Sequence, residues 1–170
     1  MERLSNGIEK EKDCLQTFDG YFVTMNKGNG ACYFCGMGVA VLSTGKMSLT
    51  DMINDNGFGI KKILEESYFD FTLKIEYLDH IEAKFNLSRF ADEDSIPRIR
   101  KPLSMNMQYY NDLTLFNLAA NLNDRYRLSF IEIIEIIKYV EDNFGSDIVG
   151  VKTVWEIKKQ KIWLKVKIIA

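Results

Sequence analysis

Apolar and polar positions alternate most strictly at residues 69–77. There Phe69, Phe71, Leu73, Ile75 and Tyr77 are interleaved with Asp70, Thr72, Lys74 and Glu76. A period of two puts the first set on one face of a strand. The next run, Ile81, Ala83, Phe85 and Leu87, alternates in the same sense. A loop at residues 78–80 pairs Tyr77 with Ile81, Ile75 with Ala83 and Leu73 with Phe85, so both apolar faces stay together as a one-sided hairpin requires. The same logic predicts a hairpin over residues 151–168. Pairing Ile157 with Ile162 brings Trp155 opposite Leu164, Thr153 opposite Val166 and Val151 opposite Ile168. Lys152, Val154, Glu156, Lys161, Trp163, Lys165 and Lys167 then fall on the other face. A third hairpin joins residues 21–25 to 31–35 through the turn-rich NKGNG of residues 26–30. The run at 39–42 continues its second strand past a kink at Gly36 and Gly38.

Helix signals separate these hairpins. Ser48 with Asp51 three residues on starts a short helix, and Asn56-Gly57 stops it. Residues 60–66 add a helical turn or two. Asp112 caps a helix over 113–123, and Ser129 with Glu132 forms a capping box for a longer one that Gly145 ends. Phe130, Ile131, Ile133, Ile134, Ile136, Ile137 and Val140 cover that last helix widely, which predicts burial. The order is ββ-α-ββ-αα-ββ. The predicted class is therefore α+β, an antiparallel sheet of about six strands built from hairpins, with helices packed mainly on one face. Residues 91–111 form the one long irregular stretch, and loops of that length are often functional.

A chain of 170 residues is long enough for a single domain with a self-sufficient core; residues 1–18 are expected to attach loosely. The N-terminus is charged and lacks an apolar leader, and no apolar run is long enough to span a bilayer. Three cysteines, an odd number, argue against a secreted disulfide framework, so the expected location is the cytoplasm, with no membrane association. The net charge of −2 is divided unevenly. Residues 1–97 carry 10 Lys and Arg against 16 Asp and Glu, whereas residues 98–170 carry 12 against 8. The abundance of Lys, Ile, Asn, Tyr and Phe, whose codons are AT-rich, points to an AT-rich bacterium, phage or virus.

The candidate chemistry is sparse. Cys32 and Cys35 form a C-x-x-C-G pattern, the shape of a zinc knuckle, and Cys14 with His80 would complete a Cys3His set. No second pair exists and the surroundings are apolar, so the cysteines are read as structural and no metal or other cofactor is expected. Residues 40–47 imitate a phosphate-binding loop. Ala40 replaces its first glycine, however, and Met47 replaces its magnesium-binding hydroxyl. His80 is the only histidine, which excludes an acid–base pair of histidines. The two C-terminal helices imitate a helix–turn–helix, but Glu132, Glu135, Glu141 and Asp142 would repel phosphates, and an αα-hairpin is preferred.

What remains is a surface. Trp163 lies among Lys152, Lys161, Lys165 and Lys167, outside a face that already supplies core residues. Arg98, Arg100, Tyr109 and Tyr110 in the irregular stretch form a second candidate patch. Tryptophan, tyrosine and arginine are typical interface anchors. The expected function is a non-enzymatic protein-binding inhibitor or accessory factor, such as a toxin-immunity or phage-type counter-defence protein. The alternatives are a nucleic-acid-binding protein using the basic C-terminal half and an enzyme with an unrecognised site.

Overall fold

The computed structural model of the chain describes residues 1–87, 102–107 and 113–145. In chain order its elements are α1 (Leu4–Lys10), β1 (Val23–Met25), β2 (Cys32–Phe34), α2 (Gly36–Ser43), α3 (Leu49–Asn54), α4 (Phe58–Ser67), α5 (Ile75–Phe85), α6 (Leu103–Met107), α7 (Leu115–Asp124) and α8 (Phe130–Phe144). Among the described residues there are thus eight helices and one two-stranded antiparallel sheet. The six-stranded sheet covered by helices on one face is overturned: the architecture is helical.

Two segments account for most of that correction. Residues 39–42 lie in α2 and do not prolong a strand. A short run that is apolar on every side has no period to separate strand from helix. Here it is apolar all round because it is buried all round: every residue from Gly36 to Val41 is inaccessible. The thiol of Cys35 caps the helix by accepting the Gly38 N–H at 3.4 Å. The second segment is the central hairpin, which is replaced by an extended stretch and then α5. Leu78, assigned to a turn by the alternation, is completely buried, as is Ile81 three residues later. Leu78, Ile81 and Phe85 also make a stripe at helical spacing, and no Gly, Pro or Asn at 78–80 enforces a turn.

The extended stretch does have a role. Glu2 bridges to Tyr68 and Thr72 bridges to Thr114. The Asp70 carboxylate accepts the N–H of Phe116 at 3.0 Å, so a residue far away in sequence helps to cap α7. The local cap is Thr114, which accepts the Asn117 N–H. This places the start of α7 later than the helix expected from Asp112, which itself lies outside the described residues. Within the irregular stretch, residues 103–107 are helical, as α6.

Other local signals hold. β1 and β2 pair as the NKGNG turn predicts, with Val23 opposite Phe34 and Met25 opposite Cys32. The Asn26 and Asn29 side chains accept N–H bonds from Gly28 and Ala31 within the turn. Ser48 caps α3 by accepting the Asp51 N–H. α8 begins at the Ser129–Glu132 capping box and reaches Gly145. The C-terminal hairpin expected over 151–168 lies outside the described residues.

α2 is the hub: α1, α4, α7 and β2 all pack on it. α8 forms a second layer against α1, α5 and α7. The N-terminal residues, expected to attach loosely, contribute α1, whose Leu4 and Ile8 are fully buried. Each such side chain is worth about 2 kcal/mol of burial. Hydrogen bonds add direction. Glu141 of α8 accepts from the Ser5 hydroxyl and from its N–H, and Arg3 pairs with Asp142. Among the described residues no helix is long and apolar enough to cross a membrane.

Candidate functional site

The partner-binding residues expected from sequence, Trp163, Lys152, Lys161, Lys165, Lys167, Arg98, Arg100, Tyr109 and Tyr110, all lie outside the described residues. The four potential metal ligands are described, and each has its own local partner. Cys14 contacts the Glu11 carboxylate and Cys32 contacts the Gly30 carbonyl, each at 3.9 Å. Cys35 caps α2, and burial pushes its thiol up to about 12, so it is uncharged at neutral pH. His80 on α5 meets the Tyr139 hydroxyl of α8 at 2.8 Å. All three cysteines are free thiols. Among the described residues no three His, Cys, Asp or Glu side chains are grouped to hold a metal.

Residues 43–46, the part of the phosphate-loop look-alike nearest solvent, close a helix instead of opening one. The Ser43 and Thr44 hydroxyls donate to the carbonyls of Ala40 and Val41 in the last turn of α2. Ser43, Thr44 and Lys46 line an open cavity of about 400 Å³ with Glu2, Lys10, Glu66 and Ser67. The helix end facing it carries carbonyls, the wrong polarity for a phosphate. Its lysines are also engaged: Lys10 pairs with Glu2, and Lys46 donates to the Ser67 hydroxyl. An aromatic group joins α5 to α8, with Tyr77 stacked on Phe144 at 4.2 Å and Phe85 edge-on to Tyr139. Lys84 sits over the Tyr139 ring. These rings use their faces on one another, so they join the two helices and leave no open platform.

Among the described residues the most exposed large apolar side chain is Phe58. It is the first residue of α4 and is 80% exposed. Its backbone is held firmly. The Asp55 carboxylate accepts the N–H groups of Gly57, Gly59 and Ile60 at 2.7, 3.1 and 3.2 Å, and the Asn56 side chain accepts that of Phe58 at 3.3 Å. Lys61 N–H then makes the first bond of the helical ladder, to the Gly57 carbonyl. The N–H groups that a helix start normally leaves unpaired are therefore all occupied. Gly57 takes a φ of +95°, open to glycine at little cost. A methyl on Gly59 would meet Met47 at 2.7 Å and Asp55 at 2.8 Å.

The turn before Phe58 meets other apolar groups. Phe22 packs beside Gly57, and α3 lies against β1. Tyr21, Met25 and Leu49, carried by that hairpin and by α3, are all exposed. The sequence signal was available as a phenylalanine between two glycines after Asp-Asn, but in one dimension it reads only as a helix stop. In comparisons with protein-family models, curated proteins and solved structures, nothing matches this chain.

Proposed function

We propose that this chain is a non-enzymatic binding protein that acts in the cytoplasm by occupying the surface of another protein, in the manner of a toxin-immunity or phage counter-defence protein. The observation that supports this reading is Phe58, a large apolar side chain held outward on a turn whose hydrogen bonds are all made. Exposing an aromatic ring forfeits burial that a core position would supply, and recognition is the usual return. A turn fixed before binding also loses little conformational entropy on association. Trp163, with its lysines, is the second anchor in this reading.

The test is purification of the tagged chain from the cells that naturally produce it, beside Phe58→Ala and Trp163→Ala variants. A single stoichiometric protein partner is expected, held less well by Phe58→Ala. The opposing result is a chain that recovers no protein but binds oligonucleotides with an affinity falling steeply and log-linearly with salt. That outcome would replace this function with nucleic-acid binding.

A further inference from the structure

Three Asn–Gly pairs occur in the chain, at residues 6–7, 29–30 and 56–57. Glycine after asparagine lets the peptide nitrogen approach the side-chain amide, because no Cβ stands in the way. The three pairs differ in what surrounds that nitrogen. We infer that Asn56 is a site of spontaneous deamidation with Asp55 as its general base, so that the start of α4 changes covalently as the molecule ages, whatever its partner.

Ring closure needs an attacking nitrogen, a group to take its proton and a donor to the oxygen of the carbonyl under attack. At position 56 all three are side by side. The Gly57 N–H donates to the Asp55 carboxylate at 2.7 Å, within the reach of a general base. Asn56 Oδ1 accepts the Phe58 N–H at 3.3 Å, at the positive end of a ten-residue helix. Asn56 is exposed, so water can enter and ammonia can leave. In the reaction the Gly57 nitrogen bonds to Asn56 Cγ and its proton passes to Asp55. The Cγ–Nδ2 bond then breaks, and ammonia departs with that proton. Water opens the resulting imide at either carbonyl, leaving aspartate or isoaspartate. No electrons are exchanged, and water is the only co-reactant. Asn29 has a similar carbonyl donor, the Ala31 N–H at 3.0 Å, but the Gly30 N–H donates to the Asn26 carbonyl, which takes no proton. Asn6 lies in α1, where the Gly7 N–H serves the Arg3 carbonyl and Gly7 is buried against Tyr68.

The test incubates the full chain at neutral pH in heavy-oxygen water, either folded or unfolded in urea, and digests samples at intervals. Mass spectrometry follows the heavy label at positions 6, 29 and 56, and an isoaspartyl methyltransferase reports isoaspartate. In the folded chain position 56 should convert about tenfold faster than position 29, a modest yield for a general base, with position 6 slowest. Unfolding should slow position 56 and bring it level with position 29, since both are then plain Asn–Gly pairs. Asp55→Asn keeps an oxygen beside the Gly57 N–H but cannot take its proton, and should lower the folded rate at position 56 to that at 29. A rate at position 56 that rises on unfolding would show that the hydrogen-bonded turn protects Asn56, and overturns the inference. Equal folded rates at positions 56 and 29, or an unchanged rate in Asp55→Asn, overturns it too. If that variant does not fold, the folded-to-unfolded ratio of the native chain decides alone.

Discussion

At Gly38 a single hydrogen atom decides how closely the backbone leading into β1 packs on a helix. Helix propensity alone would favour alanine there by about 1 kcal/mol. A methyl group would lie 1.9 Å from the Phe22 carbonyl oxygen, which belongs to the backbone and cannot turn aside. Overpacking of that kind costs about 3 kcal/mol. Gly38→Ala should therefore lose about 2 kcal/mol, read from the urea midpoint; an unchanged midpoint would show that the hairpin can slide off α2. Cys35 makes a second residue-scale prediction. Its thiol is buried and pushed up to about 12, so the reactive thiolate is scarce in the folded chain. Alkylation followed by peptide mapping should leave Cys35 unmodified until the chain unfolds, and should reach Cys32 first. Rapid labelling of Cys35 under native conditions would contradict its place as the α2 cap.

Among elements, the caps were legible in the sequence and several of the elements between them were not. Ser48, Ser129 and Glu132 act where their spacing places them because a capping bond closes over three residues and needs nothing from elsewhere. Residues 69–77 could not be settled in this way. A strand-like bridge forms only at Thr72, and the alternation fails at Ile75, where the buried surface of the other helices rewards helical spacing. The Asp70 cap on α7 was equally hidden, since its bond crosses 46 positions. Phe58 was hidden because exposure is a property of the folded surface. Ser129→Ala should cost about 1 kcal/mol. Asp55→Ala should cost about 1–2 kcal/mol by leaving three N–H groups of the α4 turn without their acceptor. It should also weaken partner binding while Phe58 itself is retained. Phe58→Ala should leave stability within about 0.5 kcal/mol. If Asp55→Ala binds like the native chain, rigidity of that turn is irrelevant to recognition.

At the scale of the molecule, three carboxyl groups among the described residues couple the fold to pH. Burial raises Asp70, Asp124 and Glu141 above their ordinary values, against hydrogen bonds that pull each of them back. A raised folded value means that the native state holds protons which the unfolded chain has released. The stability contributed by these groups is therefore fully present below the ordinary values of 3.8 for aspartate and 4.5 for glutamate, and is lost as pH rises through the raised ones. Unfolding midpoints measured between about pH 4 and pH 8 should show this decline, and Glu141→Gln should make it shallower. A decline unchanged in that variant would remove Glu141 from the account.

Glu141 also joins Ser5 across 136 positions of sequence. At roughly 5–20 residues per second of translation, α1 leaves the ribosome about 7–30 s before α8 exists to receive it. Through that interval Leu4 and Ile8 have α2 beside them but lack α8. The first of the described helices is thus among the last of them to be seated, so the nascent chain offers chaperones and proteases an apolar stripe that the finished fold covers.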